Sequence, residues 1–89
     1  MINVEEAMKT ARVILDAVLK RVPNMGGSVR RYADENSPGV IEIALKDINS
    51  QRQEISVAYA DEFFLPDDKE VLKTRARQVY DELLAALKQ

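Results

Sequence analysis

The chain contains no cysteine and no histidine. Without cysteine there is no disulfide framework, no thiolate metal site and no thiol nucleophile, a composition that fits a reducing compartment. Without histidine the commonest metal ligand and the usual general base at neutral pH are both missing. Long apolar runs are missing too: no stretch approaches the roughly 18 unbroken apolar residues that a membrane span needs. The opening residues Met1 to Glu6 place two acids where a secretory signal carries positive charge. The expectation is a cytoplasmic chain that does not enter a membrane. There is also no basic excess. The formal net charge of −2 gives nothing global to draw the protein to nucleic acid or to an anionic surface.

What is present is an ordinary globular composition, 46% hydrophobic and 31% charged over 89 residues, expected to form one α+β domain spanning residues 1–89. Its clearest pattern lies between Val40 and Ala60. Ile41, Ile43 and Leu45 alternate with Glu42, Ala44 and Lys46, and after a short polar break Ile55, Val57 and Tyr59 alternate with Ser56, Ala58 and Ala60. A period of two gives each strand one face to bury and one to leave wet. Pairing Leu45 with Ile55, Ile43 with Val57 and Ile41 with Tyr59 puts all six apolar side chains on one face of an antiparallel hairpin. It also sets Lys46 opposite Glu54 on the other face. That ion pair contributes about 0.2–1 kcal/mol. The buried face decides the register, because a slip of one residue would turn it to solvent.

Asn3 followed by Glu6 predicts a capped helix start, and Val4, Met8, Ala11, Leu15, Val18 and Val22 recur at steps of three and four, widened by Ala7, Ile14 and Leu19. Pro23 disfavours helix at Val22, so the helix should stop near Lys20 or Arg21, which complement its negative end. Pro23 to Gly27 reads as a loop whose glycines are free to take positive φ. Ser28 to Asp34 reads as a third, edge strand, with neither face cleanly apolar. Asp34 to Gly39 is a turn, and Ile48 to Gln51 joins the central strands. Phe63, Phe64 and Leu65 are expected to plug the end of the core. Asp67 with Glu70 predicts a second capped start, followed by the stripe Leu72, Ala76, Val79, Leu83 and Leu87, broadened by Tyr80, Leu84 and Ala86. Both helices need an apolar surface, and the sheet offers one. The expected fold is a two-layer α+β sandwich in the order α-β-β-β-α, with two helices on one face of a three-stranded antiparallel meander.

Two binding surfaces follow from this arrangement. The open sheet face carries Arg30, Tyr32, Ala44, Ser56 and Ala58, with Glu42, Lys46 and Glu54 around them. Small residues about a tyrosine suit another sheet face or a peptide. The exposed edge with Arg30 and Arg31 belongs to the same reading, a protein-interaction or self-associating module. The alternative is RNA. Lys69, Lys73 and Arg77 recur every fourth residue along one helix face, and with Arg30 and Arg31, and Arg75 nearby, they could track phosphates. The order α-β-β-β-α resembles that of the double-stranded-RNA-binding domain, a resemblance that implies recognition of duplex RNA by shape and backbone contact. That family opens its last helix on a lysine cluster, whereas Asp67, Asp68, Lys69 and Glu70 stand here, and acids at short range repel phosphate.

Catalysis has less support. Asp61, Glu62, Asp67, Asp68 and Glu70 form an acidic cluster that could attract a hard cation, but Phe63 to Pro66 interrupt it and helix capping accounts for Asp67 and Glu70. No histidine stands ready to activate Ser28, Ser37, Ser50 or Ser56. Nothing suggests an enclosed pocket to raise the pKa of Glu42 or Glu54. The expectation is a protein that is not an enzyme and needs no cofactor or metal.

Overall fold

The computed structural model describes residues 3–34, 37–49 and 55–88, the side chains of 37 and 38 aside. Along the chain come α1 (Val4–Leu19), β1 (Met25–Asp34), β2 (Ser37–Asp47), β3 (Ile55–Ala60), a short 3-10 helix (Asp61–Phe64) and α2 (Lys69–Leu87). The three strands form an antiparallel sheet in the order β1-β2-β3, and both helices pack on one face of it.

The Asn3 side chain caps α1 by accepting the Glu6 backbone N–H at 3.2 Å. The buried stripe is Ala7, Ala11, Ile14, Leu15 and Val18. Lys20 is the C-cap rather than part of the last turn, which holds no basic residue. On the sheet, Leu45 pairs with Ile55, Ile43 with Val57 and Ile41 with Tyr59, the register that the alternation requires. Ile41, Ile43 and Leu45 on the central strand are all 0% exposed. Glu54, the expected partner of Lys46, lies outside the described residues, as do Ser50 and Gln51 of the connecting turn.

β1 begins three residues earlier than its alternation suggests, so Met25, Gly26 and Gly27 belong to the strand and only Pro23 and Asn24 of the expected loop remain outside it. Gly26 pairs with Lys46 and Gly27 with Leu45, and neither glycine has a positive φ. Gly27 serves close packing instead. A Cβ there would lie 2.6 Å from Leu15 Cδ1 and 2.8 Å from the Ala44 carbonyl oxygen, so α1 rests directly on the strand backbone. Val29 pairs with Ile43 and Arg31 with Ile41, which settles that Gly27, Val29 and Arg31 face the helices. The Asp34 to Gly39 turn is also shorter than expected. Asp34 pairs with Ser37, and between there and the Tyr32–Val40 pair β2 carries one residue more than β1. This bulge lets proline and glycine sit inside a strand.

The 3-10 helix closes the end of the core. Phe64 is fully buried, and Phe63 stacks on Tyr59 with ring centroids 4.7 Å apart. Arg75 holds this turn from α2, its guanidinium 5.1 Å from the Phe63 ring centroid and donating to the Phe63 carbonyl at 2.8 Å. Asp68, not Asp67, caps α2 by accepting the Glu70 N–H at 2.8 Å. The two acids are adjacent and equally suited to the role, so the helix starts one residue later than the capping-box spacing implies. Val79 and Leu83 are the buried residues of α2, whose backbone runs beside α1, the 3-10 helix and, of the described strands, β3. Among the described residues no helix is long and apolar enough to cross a membrane.

Replacing Gly27 by valine should destabilise the protein by about 1–3 kcal/mol, the usual cost of overpacking. Gly26→Ala should change little, because the new Cβ would meet only Ile48 Cγ2 at 3.1 Å, the tip of an exposed side chain. Chemical denaturation of the two variants checks the difference.

Candidate functional site

Strand register determines what the open face of the sheet displays. Arg30, Glu42 and Ala58 form one row across the three strands, Ser28, Ala44 and Ser56 the next, and Tyr32, Val40 and Ala60 a third. The expected surface residues Arg30, Tyr32, Ala44, Ser56 and Ala58 therefore share one face, turned away from both helices. Tyr32 stands 51% exposed at one end, its hydroxyl donating to Glu42 Oε1 at 3.3 Å. Ala44 is only 2% exposed, because a small side chain at the middle of the central strand lies below its neighbours. Beside it Gly26, Gly27, Ser28, Lys46 and Ile48 line a depression of about 210 Å³. The face is thus low in the centre and rimmed by charge and one aromatic ring.

The basic residues are not brought together. Arg30 is on the open face, whereas Arg31 faces the helices. Lys69, Lys73 and Arg77 lie on α2 in the opposite layer. Lys73 pairs with Glu70 at 3.6 Å and Arg77 with Asp81 at 3.3 Å. Such exposed pairs hold little energy, but each offsets a charge that a phosphate would need.

Arg31 pairs with Asp61, the buried charged residue among the described residues. Its Nη2 lies 2.7 Å from Asp61 Oδ2, and its Nε donates to both carboxylate oxygens at 3.2 and 3.1 Å. Asp61 is 3% exposed. The Asp61 carboxylate holds the Arg31 guanidinium above its ordinary pKa, hydrogen bonding outweighing the opposing effect of desolvation. Gly39 at the bulge passes directly beneath the pair, where a Cβ would collide with both side chains. The ion pair therefore ties β1 to the 3-10 helix across β2. It also removes Asp61 from the acidic cluster, and Asp68 is spent on capping. Among the described residues no three acidic side chains converge to hold a metal ion.

A second polar tie joins β3 to α2. The Tyr59 hydroxyl donates to Glu82 Oε2, and Gln78 Nε2 donates to Glu82 Oε1 at 3.0 Å. Burial first, then the carboxylate, raises the Tyr59 pKa above its ordinary 10, while the hydrogen bonds from Tyr59 and Gln78 lower that of Glu82.

Two features escaped the sequence reading. Ile48, 61% exposed, borders the open-face depression, and its only signal was an apolar residue in a polar turn. Val13, 62% exposed, edges a groove of about 330 Å³ between α1 and α2, lined also by Ile14, Ala17, Ala76, Arg77 and Tyr80. Val13 falls outside the buried stripe, so periodicity gave it no role. Among known families, curated proteins and solved structures, none matches this chain.

Arg31→Ala leaves the Asp61 carboxylate buried without its cation, so it should lower the thermal midpoint more than Arg30→Ala does; circular dichroism melts of both variants check this. The Tyr59–Glu82 contact has two pH limbs. A lowered Glu82 pKa gives stability that is present above the unfolded value near 4.3 and lost as pH falls below it. A raised Tyr59 pKa gives stability that is present below about 10 and lost as pH rises beyond it. Tyr59→Phe should weaken the acid limb, read as a smaller loss of stability on acidification in denaturation at pH 7 and pH 3.

Proposed function

We propose that this chain works by binding rather than by catalysis, as a protein-interaction or self-associating module whose contact surface is the open face of the sheet. The observation that carries this reading is the alignment of Arg30, Tyr32, Ala44, Ser56 and Ala58 on one helix-free face, small at the centre and capped by a half-exposed tyrosine. Aromatic residues and arginine around a low, weakly charged centre are what protein contacts favour. The absence of histidine argues in the same direction, since the usual acid–base group for chemistry at neutral pH is missing. Lacking cysteine, the protein loses nothing in a reducing cytoplasm, where this reading sets it. RNA binding through Arg30, Arg31, Lys69, Lys73 and Arg77 is less well supported, because these cations are divided between two layers and several are paired.

Sedimentation across a dilution series, at low and moderate salt, tests the proposal. Average mass should rise with concentration and change little with salt. Ala58→Arg, which buries a new charge at the contact, should weaken association by about tenfold or more, equivalent to 1.4 kcal/mol. Lys73→Glu with Arg77→Glu should leave it unchanged. A constant mass at every concentration, together with RNA binding that falls steeply with salt and is lost in the glutamate double variant, would overturn the reading in favour of nucleic acid.

A further inference from the structure

The two edges of the sheet are defended unequally, and from this we infer that the outer edge of β3 is a docking site for an extended peptide segment of a partner protein, which joins the sheet as a fourth strand. The inference rests on the reading of the chain as a protein-interaction module, and it moves a contact from the sheet's face to its edge.

An unpaired strand edge presents a row of backbone N–H and C=O groups that another chain can use. Proteins commonly block this with charged side chains, proline or bulges. β1 has such protection: Arg30 and Arg31 lie on it, and the bulge beside Tyr32 distorts its pairing. β3 has none. Its six residues, Ile55 to Ala60, include no charge and no proline, and they pair with β2 without interruption. No described strand lies beyond it. Its helix-side residues Ile55, Val57 and Tyr59 are only half-buried, although their partners Leu45, Ile43 and Ile41 are completely buried. Apolar surface is therefore left beside the edge for the side chains of an added strand.

Steric limits select the occupant. A second copy adding its own β3 would pair antiparallel about a two-fold axis, and because opposed residues point to the same side, both helix layers would lie on one face. Paired strands are about 4.8 Å apart, whereas packed helices need about 8–10 Å between axes. α1 lies over β1 and β2, and α2 runs on the β3 side of the sheet, the described strand its backbone comes nearest, so two copies of α2 would collide above the seam. An extended segment without a helix layer meets no such obstacle. The chemistry of the edge specifies its composition: β-branched or aromatic residues on the side facing Ile55, Val57 and Tyr59, and small uncharged residues on the side of Ser56, Ala58 and Ala60.

The test is amide NMR of the labelled full chain with an acetylated octapeptide of alternating valine and threonine carrying a lysine at each end. A control peptide has every backbone nitrogen methylated. The expected result is shifts and slowed amide exchange concentrated at Ile55–Ala60 with the first peptide and absent with the second. Shifts centred on Tyr32 and Ala44 would overturn the edge assignment and give the peptide to the open face. No response at millimolar peptide would overturn it as well, leaving the open-face reading to its own sedimentation test. Slowed exchange at β3 on concentrating the protein alone would overturn the choice of occupant in favour of a second copy.

Discussion

The structure depends on the burial of three side chains, Ile41, Ile43 and Leu45, on the central strand. They lie between the helices on one side and the backbone of their own sheet on the other, and each is flanked by a neighbour on both outer strands. Shifting β3 by one residue would expose an apolar row and bury a polar one. This constraint sets the composition of both faces at once. Because Ile43 and Val57 point inward, Ala44, Ser56 and Ala58 must point outward. The candidate surface is the complement of the core.

Polar ties at the periphery complete what the core begins. α1 settles onto β1 where Gly27 offers no side chain, and Ala7 and Ala11 keep the helix surface low. At the opposite end of β1 the apolar supply runs out, and Arg31 reaches Asp61 instead. The ion pair over Gly39 does for that corner what Phe64 does for the neighbouring one. α2 is held more lightly, through Tyr59 and Glu82, through Arg75 on the 3-10 helix, and through a short buried stripe. The two outer strands differ accordingly: β1 carries Arg30 and Arg31, whereas the described residues of β3, Ile55 to Ala60, include no charge.

Much of this was legible in the amino-acid order. Alternation over Ile41 to Leu45 and Ile55 to Tyr59 puts all six apolar residues on one face, and the pairing that overlaps the two runs fully is the observed register. The α1 stripe and the aromatic plug after β3 were legible for the same reason: apolar spacing reports burial directly. Gly26 and Gly27 were misread because glycine marks a turn and a close helix approach with the same letter. Asp67 and Asp68 are neighbours of equal capping ability, so spacing alone chose the wrong one. Arg31 could not be matched to Asp61, since the partners are thirty residues apart and nothing local links them. The open face was readable once the strands were paired. The division of the basic residues was not, because it needed the orientation of β1, whose two faces are nearly equal in character.

The most direct measurement of the register is a methyl and α-proton NOE map of the sheet. The account predicts contacts from Ile43 to both Val29 and Val57, and from Ala44 to Ser28 and Ser56, in a single pattern. Contacts of Ile43 with Arg30 or Ala58 as directly opposed neighbours would mean a register slipped by one residue. That result would contradict the core, the open face built from its complement, and the binding function drawn from that face.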